Sequence, residues 1–245
     1  MRQNENGNPI NATKRARVRG NRGPRRHQVK RLVEIFDVPN NVIEDIKTVS
    51  RDHAIDHLGT EDYQVSKYCD LTDTFHRLKK TIGKQWPYNV NDDLFDKSTT
   101  NYKQVLLQKC NIYDNPLEEV EETNYFNWDI EKPINNIKTW LEDNFANVYR
   151  SRIAICPPEH YLEWHIDTDT SAIGRIQICA EHGDAKIEWK TKQGVEQYKM
   201  ENNKCYFFNT GWPHRIINGP AQRTVLLAGV YIDEMSDDLK QKILI

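Results

Sequence analysis

The stretch "YLEWHIDTDTSAIGRIQICAE", residues 161–181, joins two runs of strand-forming residues through a polar turn. In the second run Ile176 and Ile178 alternate with polar residues, which is the period of two that a β-strand requires. Two short strands with a turn between them predict that this part of the chain belongs to an antiparallel sheet.

The same pattern of short strand-forming runs separated by turns continues on both sides of this stretch. Turn signals such as "EHGDA", "ENN" and "NGP" separate short runs rich in β-branched and aromatic residues. Eight such runs within 85 residues predict a β-sandwich or barrel. The predicted strands cover residues 148–156, 161–168, 174–181, 184–190, 195–200, 204–209, 213–217 and 223–232.

Upstream of residue 148 the apolar residues follow a helical period instead. A helix is predicted from the Asn residues at 40–41 to Gly59, a second over 66–83, and a third in "KPINNIKTWLEDNFANVY". The segment "NYKQVLLQKCNIY" is predicted as a strand. We therefore expect a mainly helical region, residues 32–147, to pack on a β core formed by residues 148–245. The apolar stripes are Val42, Ile43, Ile46, Val49 and Ile55 in the first helix, and Ile134, Ile137, Trp140, Leu141 and Phe145 in the third.

Residues 1–31 differ from the rest of the chain in charge. They contain ten Lys or Arg and one acid, a formal charge of +9, whereas the whole chain carries −2. They contain few large apolar groups, so burial cannot offset the entropy lost on ordering, and they are predicted to form a flexible basic arm. The arm either contacts nucleic acid or another polyanion, or serves only as a solubilising tail.

Membrane insertion and secretion are not indicated by the sequence. No run of 18 apolar residues occurs, and no secretory hydrophobic region follows the first basic residues. The five cysteines are scattered without CxxC spacing, which is typical of reduced, buried thiols. We therefore expect a cytoplasmic protein without a membrane contact.

His165 and Asp167 lie two apart in the run at 161–168. In a strand, residues i and i+2 point to the same face, so the two side chains are expected to project together. Burying an aspartate in an apolar interior without a partner costs several kcal/mol. A bound cation or a hydrogen-bond network must therefore compensate its charge.

His214 and Arg223, later in the chain, supply groups that fit this requirement. His214 begins a short run after a turn at Gly211, and Arg223 begins the last run nine residues later. One carboxylate and two imidazoles form the triad that holds Fe(II) and leaves positions open for a 2-oxo acid and O₂. A buried arginine also needs a partner, and its planar guanidinium matches a carboxylate.

With these residues in place, the sequence resembles the 2-oxoglutarate- and Fe(II)-dependent oxygenases, in particular their aspartyl/asparaginyl β-hydroxylase-like branch. The resemblance lies in "CPPEHYLEWHIDTDTSAIGRIQI" and "CYFFNTGWPHRIINGPAQRTVLLAGV" and covers about residues 148–232. It implies an α+β protein whose core is a double-stranded β-helix, a cupin-like jelly roll, with an N-terminal helical layer and a disordered basic arm.

The resemblance also implies an activity. His165, Asp167 and His214 would bind Fe(II), and Arg223 would hold the distal carboxylate of 2-oxoglutarate. The 2-oxo acid and O₂ would be consumed to give succinate and CO₂, with hydroxylation of an amino-acid side chain, free or in a polypeptide.

Two residues depart from the pattern of the branch. Its animal members lack the carboxylate of the triad, whereas Asp167 is present here, as in the similar bacterial proline hydroxylases. Its animal members also carry a serine that helps to bind 2-oxoglutarate where this chain has Ala154. The group that assists Arg223 is therefore open.

Five further residues are candidates for the lining of the pocket or for contact with the substrate. Arg175 and Gln177 would face a ligand cavity if the isoleucines beside them pack on the helical layer; otherwise the isoleucines form the core and the polar residues are solvated. His160 lies in a loop close to the triad in sequence. Trp212 and Trp164 precede the two histidines and either wall the pocket or pack in the core.

Two rival functions remain open. A zinc enzyme that hydrolyses its substrate accepts the same nitrogen and oxygen ligands, but it has no need of a buried guanidinium opposite the metal. A nucleic-acid-associated protein with a non-catalytic or zinc-binding cupin-like core would depend on residues 1–31 instead of on His165.

Overall fold

The structure is a computed structural model that describes residues 23–56, 102–110, 125–167, 170–171 and 173–245. The helix predicted over 66–83 and most of the basic arm lie outside the described residues. Thirteen strands are described: β1 (Leu32–Asp37), β2 (Ile55–Asp56), β3 (Lys103–Leu106), β4 (Gln108–Cys110), β5 (Tyr125–Trp128), β6 (Tyr149–Cys156), β7 (Tyr161–His165), β8 (Gly174–Glu181), β9 (Lys186–Thr191), β10 (Gly194–Lys199), β11 (Lys204–Phe208), β12 (His214–Ile217) and β13 (Arg223–Val230). The α-helices are α1 (Asn40–His53), α2 (Asn135–Asn144) and α3 (Asp237–Ile243).

Strands β6–β13 form two facing sheets. The larger sheet has the order β1-β11-β8-β13-β6-β3-β2, and the smaller has the order β10-β9-β12-β7. Within each of these two sheets all neighbouring strands are antiparallel. From β6 onward the chain alternates between the sheets, except at the β9–β10 hairpin. The core is a double-stranded β-helix. This confirms the predicted fold class, and the eight predicted runs coincide with β6–β13 to within about three residues at each end.

Strand β8 shows why the sequence folds in this way. Ile176 and Ile178 belong to an apolar cluster that also contains the buried faces of α1 and α2, whereas Cys179 belongs to a second cluster between the two sheets. The alternation in "GRIQICA" therefore separates a helix-facing side from an inter-sheet side. The second cluster consists of Ala154, Cys179, Ile187, Trp189, Met200, Tyr206, Phe208 and Val225.

The helical layer covers the outer face of the larger sheet. The predicted stripe of α2 is confirmed, because Ile137 and Leu141 are fully buried and Trp140 packs partly against the same cluster. Helix α1 buries its predicted stripe as far as Val49 but ends at His53. The prediction of a helix to Gly59 is wrong for Ile55, which pairs with Gln104 of β3. An isoleucine suits a strand, and the sheet edge offers it backbone partners.

The described part of the region 32–147 contributes strands as well as helices, and the prediction that the region as a whole is mainly helical stays a prediction. Strand β1 pairs with β11, and β3 pairs with β6. These pairings cover both edges of the four-stranded sheet β11-β8-β13-β6, whose unpaired N–H and C=O groups would otherwise be exposed. The division of the chain at residue 147 stays a prediction.

Residues 23–31 also differ from the prediction of a flexible arm. They contain a 3₁₀ turn at Arg26–Gln28, and Val29 is buried and bridges to Leu244. Backbone hydrogen bonds to the β core make this short segment ordered although its sequence is basic. Among the described residues, none of the helices is long and apolar enough to cross a membrane.

Candidate metal centre

The two predicted metal histidines face each other across a strand pair. His165 ends β7, His214 begins β12, and the two residues are antiparallel partners. Their ring centroids are 4.2 Å apart. Asp167 lies two residues beyond the end of β7, with Oδ1 3.6 Å from Nε2 of His165. The ligand atoms of all three residues lie within 4.8 Å of one another. The structure therefore brings together the complete predicted triad of two imidazoles and one carboxylate.

Asp167 is positioned by a neighbouring loop. Its backbone N–H donates to the carbonyl of Thr210, at 3.1 Å. Burial by itself would raise the pKa of Asp167, but the positive charges that His165, His214 and Arg175 can present outweigh it and hold that pKa at about 2. Asp167 is therefore a carboxylate at neutral pH, the form that binds a metal.

His214 is buried in a position that fixes both its charge and its tautomer. Burial, with a further contribution from charge on His165, lowers the pKa of His214 to about 3, so its imidazole is neutral. Nδ1 lies 2.8 Å from the carbonyl of Trp212, and because a carbonyl can only accept, Nδ1 carries the hydrogen. The lone pair is then on Nε2. The ring edge of Phe208, with centroids 5.1 Å apart, holds the plane of the imidazole.

Strand β8 places Arg175 and Gln177 on the inter-sheet side, as the sequence predicts for isoleucines that pack outward. Arg175 is buried, and its Nη2 lies 3.9 Å from Oδ2 of Asp167. Gln177 is also buried, and its Oε1 has no hydrogen-bond partner. The side chains of both residues therefore belong to the interior that contains the triad; their role in binding substrate stays a prediction.

Arg223 lies on the larger sheet, which faces the smaller sheet that carries His165 and His214. It begins β13, is only 3% exposed, and lies on the same side of the strand as Val225 of the inter-sheet cluster. Its Nη1 approaches the sulfur of Cys156 at 4.0 Å, while Nε and Nη2 have no hydrogen-bond partner. No carboxylate of the described residues forms an ion pair with it. A guanidinium in this state is short of an anion.

His160 belongs to the neighbourhood of Arg223. It precedes β7 in the turn that follows Cys156, and its carbonyl accepts from the backbone N–H of Asn218 at 2.8 Å. Its ring is edge-on to Tyr102, with centroids 6.2 Å apart. Burial and then the charge of Arg223 lower the pKa of His160, so the imidazole is neutral at pH 7. A substrate contact by His160 stays a prediction.

The two tryptophans have different surroundings. The ring of Trp212 is partly buried beside the inter-sheet cluster and is faced by the guanidinium groups of Arg26 and Arg31, 5.1 and 5.7 Å from its centroid. Trp164 instead contacts Lys190 and Arg215, at 4.5 and 4.8 Å. These contacts involve protein groups, and a role of Trp212 in substrate binding stays a prediction.

No model of a known protein family and no curated protein matches the sequence. Similar solved structures include a prolyl-4-hydroxylase from Pseudomonas putida, 11% identical over 77% of this chain and 97% of that one, with a TM-score of 0.34. A cupin domain from Bordetella pertussis is 16% identical over 36% of this chain and 81% of that one, with a TM-score of 0.27. A nickel complex of a non-haem monooxygenase is 11% identical over 42% and 52%, with a TM-score of 0.29. These values are too low to assign an activity, which must come from the site itself.

Proposed function

We propose that the protein is a non-haem Fe(II)- and 2-oxoglutarate-dependent dioxygenase that hydroxylates an amino-acid side chain, free or in a polypeptide, with succinate and CO₂ as co-products. The observation that carries this proposal is Arg223, a buried guanidinium to which the described residues offer no anion, on the inter-sheet side of the larger sheet, while the two histidines of the triad lie on the smaller sheet. A 2-oxo dicarboxylic acid would supply a 2-oxo acid group to a metal held by the triad and a second carboxylate to Arg223.

The triad fits a divalent transition metal. Two neutral nitrogens and one carboxylate oxygen, the ligand set of non-haem Fe(II) oxygenases, leave open positions on the metal. The 4.8 Å limit on the separations of the ligand atoms allows a single ion to contact all three. When bound, Fe(II) would supply the activation of O₂; the protein's part is to fix the ligands, bind the co-substrate and exclude water.

Arg223 fits the other end of the co-substrate. Removing a guanidinium from water without a partner costs several kcal/mol, and a carboxylate that accepts from Nε and Nη2 would recover much of that cost. His165 and His214 lie on the smaller sheet, and Arg223 lies on the inter-sheet side of the larger sheet. A molecule with a metal-binding 2-oxo acid at one end and a carboxylate at the other satisfies both, whereas a hydrolytic zinc site leaves Arg223 unexplained.

Two polar groups remain for the organic substrate. Arg175 lies beside Asp167, and the unpaired Oε1 of Gln177 can accept a hydrogen bond from an N–H or O–H group. Donor and acceptor groups of this kind suit the polar groups of an amino acid or peptide, which is the substrate class proposed here.

Succinate formation tests the proposal. The metal-free protein is loaded with Fe(II) or Zn(II) and mixed with 2-oxoglutarate in air, with and without amino acids and peptides. We expect succinate only with Fe(II), faster turnover with the right substrate, and no turnover for Asp167→Ala. Asp184→Ala removes an exposed aspartate from a turn and is the control that keeps activity. Absence of succinate from the Fe(II)-loaded protein under every condition, or an Asp167→Ala variant as active as the parent, would refute the proposal.

A further inference from the structure

Residues 23–31, here called the N-terminal strap, contact the loops that hold two of the metal ligands. The first contact is with the loop that follows Asp167. The backbone N–H of Gly23 donates to the carbonyl of Ser171 at 3.1 Å, and the hydroxyl of Thr170 donates to the carbonyl of Pro24 at 3.0 Å. The beginning of the strap is therefore tied to the chain three to four residues beyond the carboxylate ligand.

The second contact is with residues 209–213, here called the histidine loop. Asn209 is fully buried, and its Nδ2 donates to the carbonyls of Arg26 and Val29, each at 3.0 Å. Its Oδ1 accepts from the backbone N–H of Gly211 at 3.2 Å, and its own N–H donates to the carbonyl of Arg31. One side chain thus joins the strap to the inside of the loop.

Trp212 makes a parallel connection. Its indole N–H donates to the carbonyl of Arg26 at 2.9 Å, and the guanidinium of Arg26 donates in return to the carbonyl of Gly211, also at 2.9 Å. Arg31 faces the same indole ring and is paired with Glu196 at 2.6 Å. The strap and the histidine loop are therefore linked through side-chain and backbone groups in both directions.

The histidine loop in turn holds two ligands directly. The carbonyl of Trp212 accepts from Nδ1 of His214, which sets the tautomer, and the carbonyl of Thr210 accepts from the N–H of Asp167. Trp212 therefore links the strap directly to His214, and Thr210, which holds Asp167, lies between Asn209 and Gly211, two residues that the strap contacts. A shift of the loop would move both carbonyls, and outer groups of this kind affect metal affinity by about 10–100-fold.

We propose that the N-terminal strap positions the metal ligands and that Asn209 is the positioning residue that couples it to them. This inference rests on the proposed metal centre. It assigns a function to the last residues of the predicted basic arm, directly before β1: the affinity of the protein for its metal depends on residues outside the β core.

Two buried asparagines provide a matched test. Asn218 resembles Asn209, since its Nδ2 also donates to two carbonyls, those of Cys156 and Pro157, but it lies on the Arg223 side of the interior. Replacing either by aspartate keeps the shape and puts an acceptor against two carbonyls, so both variants lose stability. Trp212→Phe removes the indole donor and part of the ring that Arg26 and Arg31 face, and it is the second variant if Asn209→Asp does not fold.

The measurements are Co(II) binding isotherms, visible spectra of the Co(II) complexes and melting temperatures of the metal-free proteins. We expect Asn209→Asp and Trp212→Phe to weaken Co(II) binding by about tenfold or more and to change the ligand-field bands. Asn218→Asp should have a lower melting temperature than the parent but the same affinity for Co(II). Unchanged affinity and spectra in Asn209→Asp and Trp212→Phe would refute the proposed role of the strap and would leave the proposed metal centre standing. Failure of the parent protein to bind Co(II) would overturn the proposed function and the strap together.

Discussion

Replacing Arg223 by methionine is expected to stabilise the protein while weakening its affinity for 2-oxoglutarate. Two buried donors of Arg223, Nε and Nη2, have no hydrogen-bond partner among the described residues. Leaving a buried donor unsatisfied costs about 1–3 kcal/mol, and methionine of similar length keeps the packing without the charge. A net gain of about 1–3 kcal/mol corresponds to a rise of roughly 2–12 °C in the melting temperature of a chain of this size.

The loss of co-substrate affinity follows from the same two donors. A charge-assisted contact to a carboxylate contributes about 1.5–3 kcal/mol, which predicts a rise of about 10–150-fold in the KM for 2-oxoglutarate. The parent protein should also gain about 2.7 kcal/mol of stability from 2-oxoglutarate at a hundred times its Kd, whereas Arg223→Met should gain only about 0.3–1.4 kcal/mol at that concentration.

Thermal unfolding of the Zn(II)-loaded proteins, with and without 2-oxoglutarate, measures both effects in one assay. Arg215→Met is the control, because Arg215 pairs with Glu188 at 2.7 Å and so has the partner that Arg223 lacks. Its response to 2-oxoglutarate should equal that of the parent. The reasoning is refuted if Arg223→Met is destabilised like an ordinary core deletion, or if 2-oxoglutarate still raises its melting temperature as it does for the parent.

Three further predictions concern other parts of the molecule. The pKa of His160 is lowered from 6.5 in the folded protein, so its contribution to stability is complete above pH 6.5 and is lost as the pH falls. The melting temperature of metal-free His160→Gln should therefore fall less than that of the parent between about pH 7 and pH 5. The part of the fall that is due to His214, whose pKa is also lowered, should remain. A slope identical to that of the parent would contradict this. Leu226→Ala, at a fully buried position in the cluster between the larger sheet and the helices, should cost about 2–5 kcal/mol in urea unfolding without changing Co(II) affinity; a loss below about 1 kcal/mol would contradict the packing. Deletion of residues 1–22 should leave Co(II) affinity unchanged, whereas deletion of residues 1–31 should lower it, and equal affinities in the two truncated proteins would count against the strap.

The sequence was sufficient to predict what depends on local pattern. Alternation in "GRIQICA" separates two faces because successive side chains of a strand must point to opposite sides; it placed Arg175 and Gln177 on one face, and the structure shows that this face points to the interior. The run and turn boundaries located β6–β13, and the spacing of His165, Asp167 and His214 identified the triad that the structure assembles.

What could not be predicted depends on backbone groups that are distant in the chain. Asp167 lies beyond the end of β7, and the carbonyl of Thr210 fixes its backbone. A carbonyl is present at every position, so it leaves no signal in the sequence. The same is true of Arg26, whose charge suggested a solvated arm but whose carbonyl accepts from Asn209 and Trp212. Likewise, β1 and β3 cover sheet edges that exist only after the core has formed.

Asp167 and Arg223 do not form a salt bridge with each other, and this leaves both charged groups able to bind ligands. A carboxylate and a buried guanidinium that lie close together would gain most by pairing with each other. Asp167 and Arg223 do not form an ion pair: Asp167 lies beyond the end of β7 with its side chain 37% exposed, whereas Arg223 is buried at the start of β13 in the larger sheet. Asp167 is held by the positive groups around the triad, while Arg223 keeps two donors unsatisfied. Both charges thus stay available to ligands, and a metal ion at one and a carboxylate at the other would satisfy each without a rearrangement of the fold.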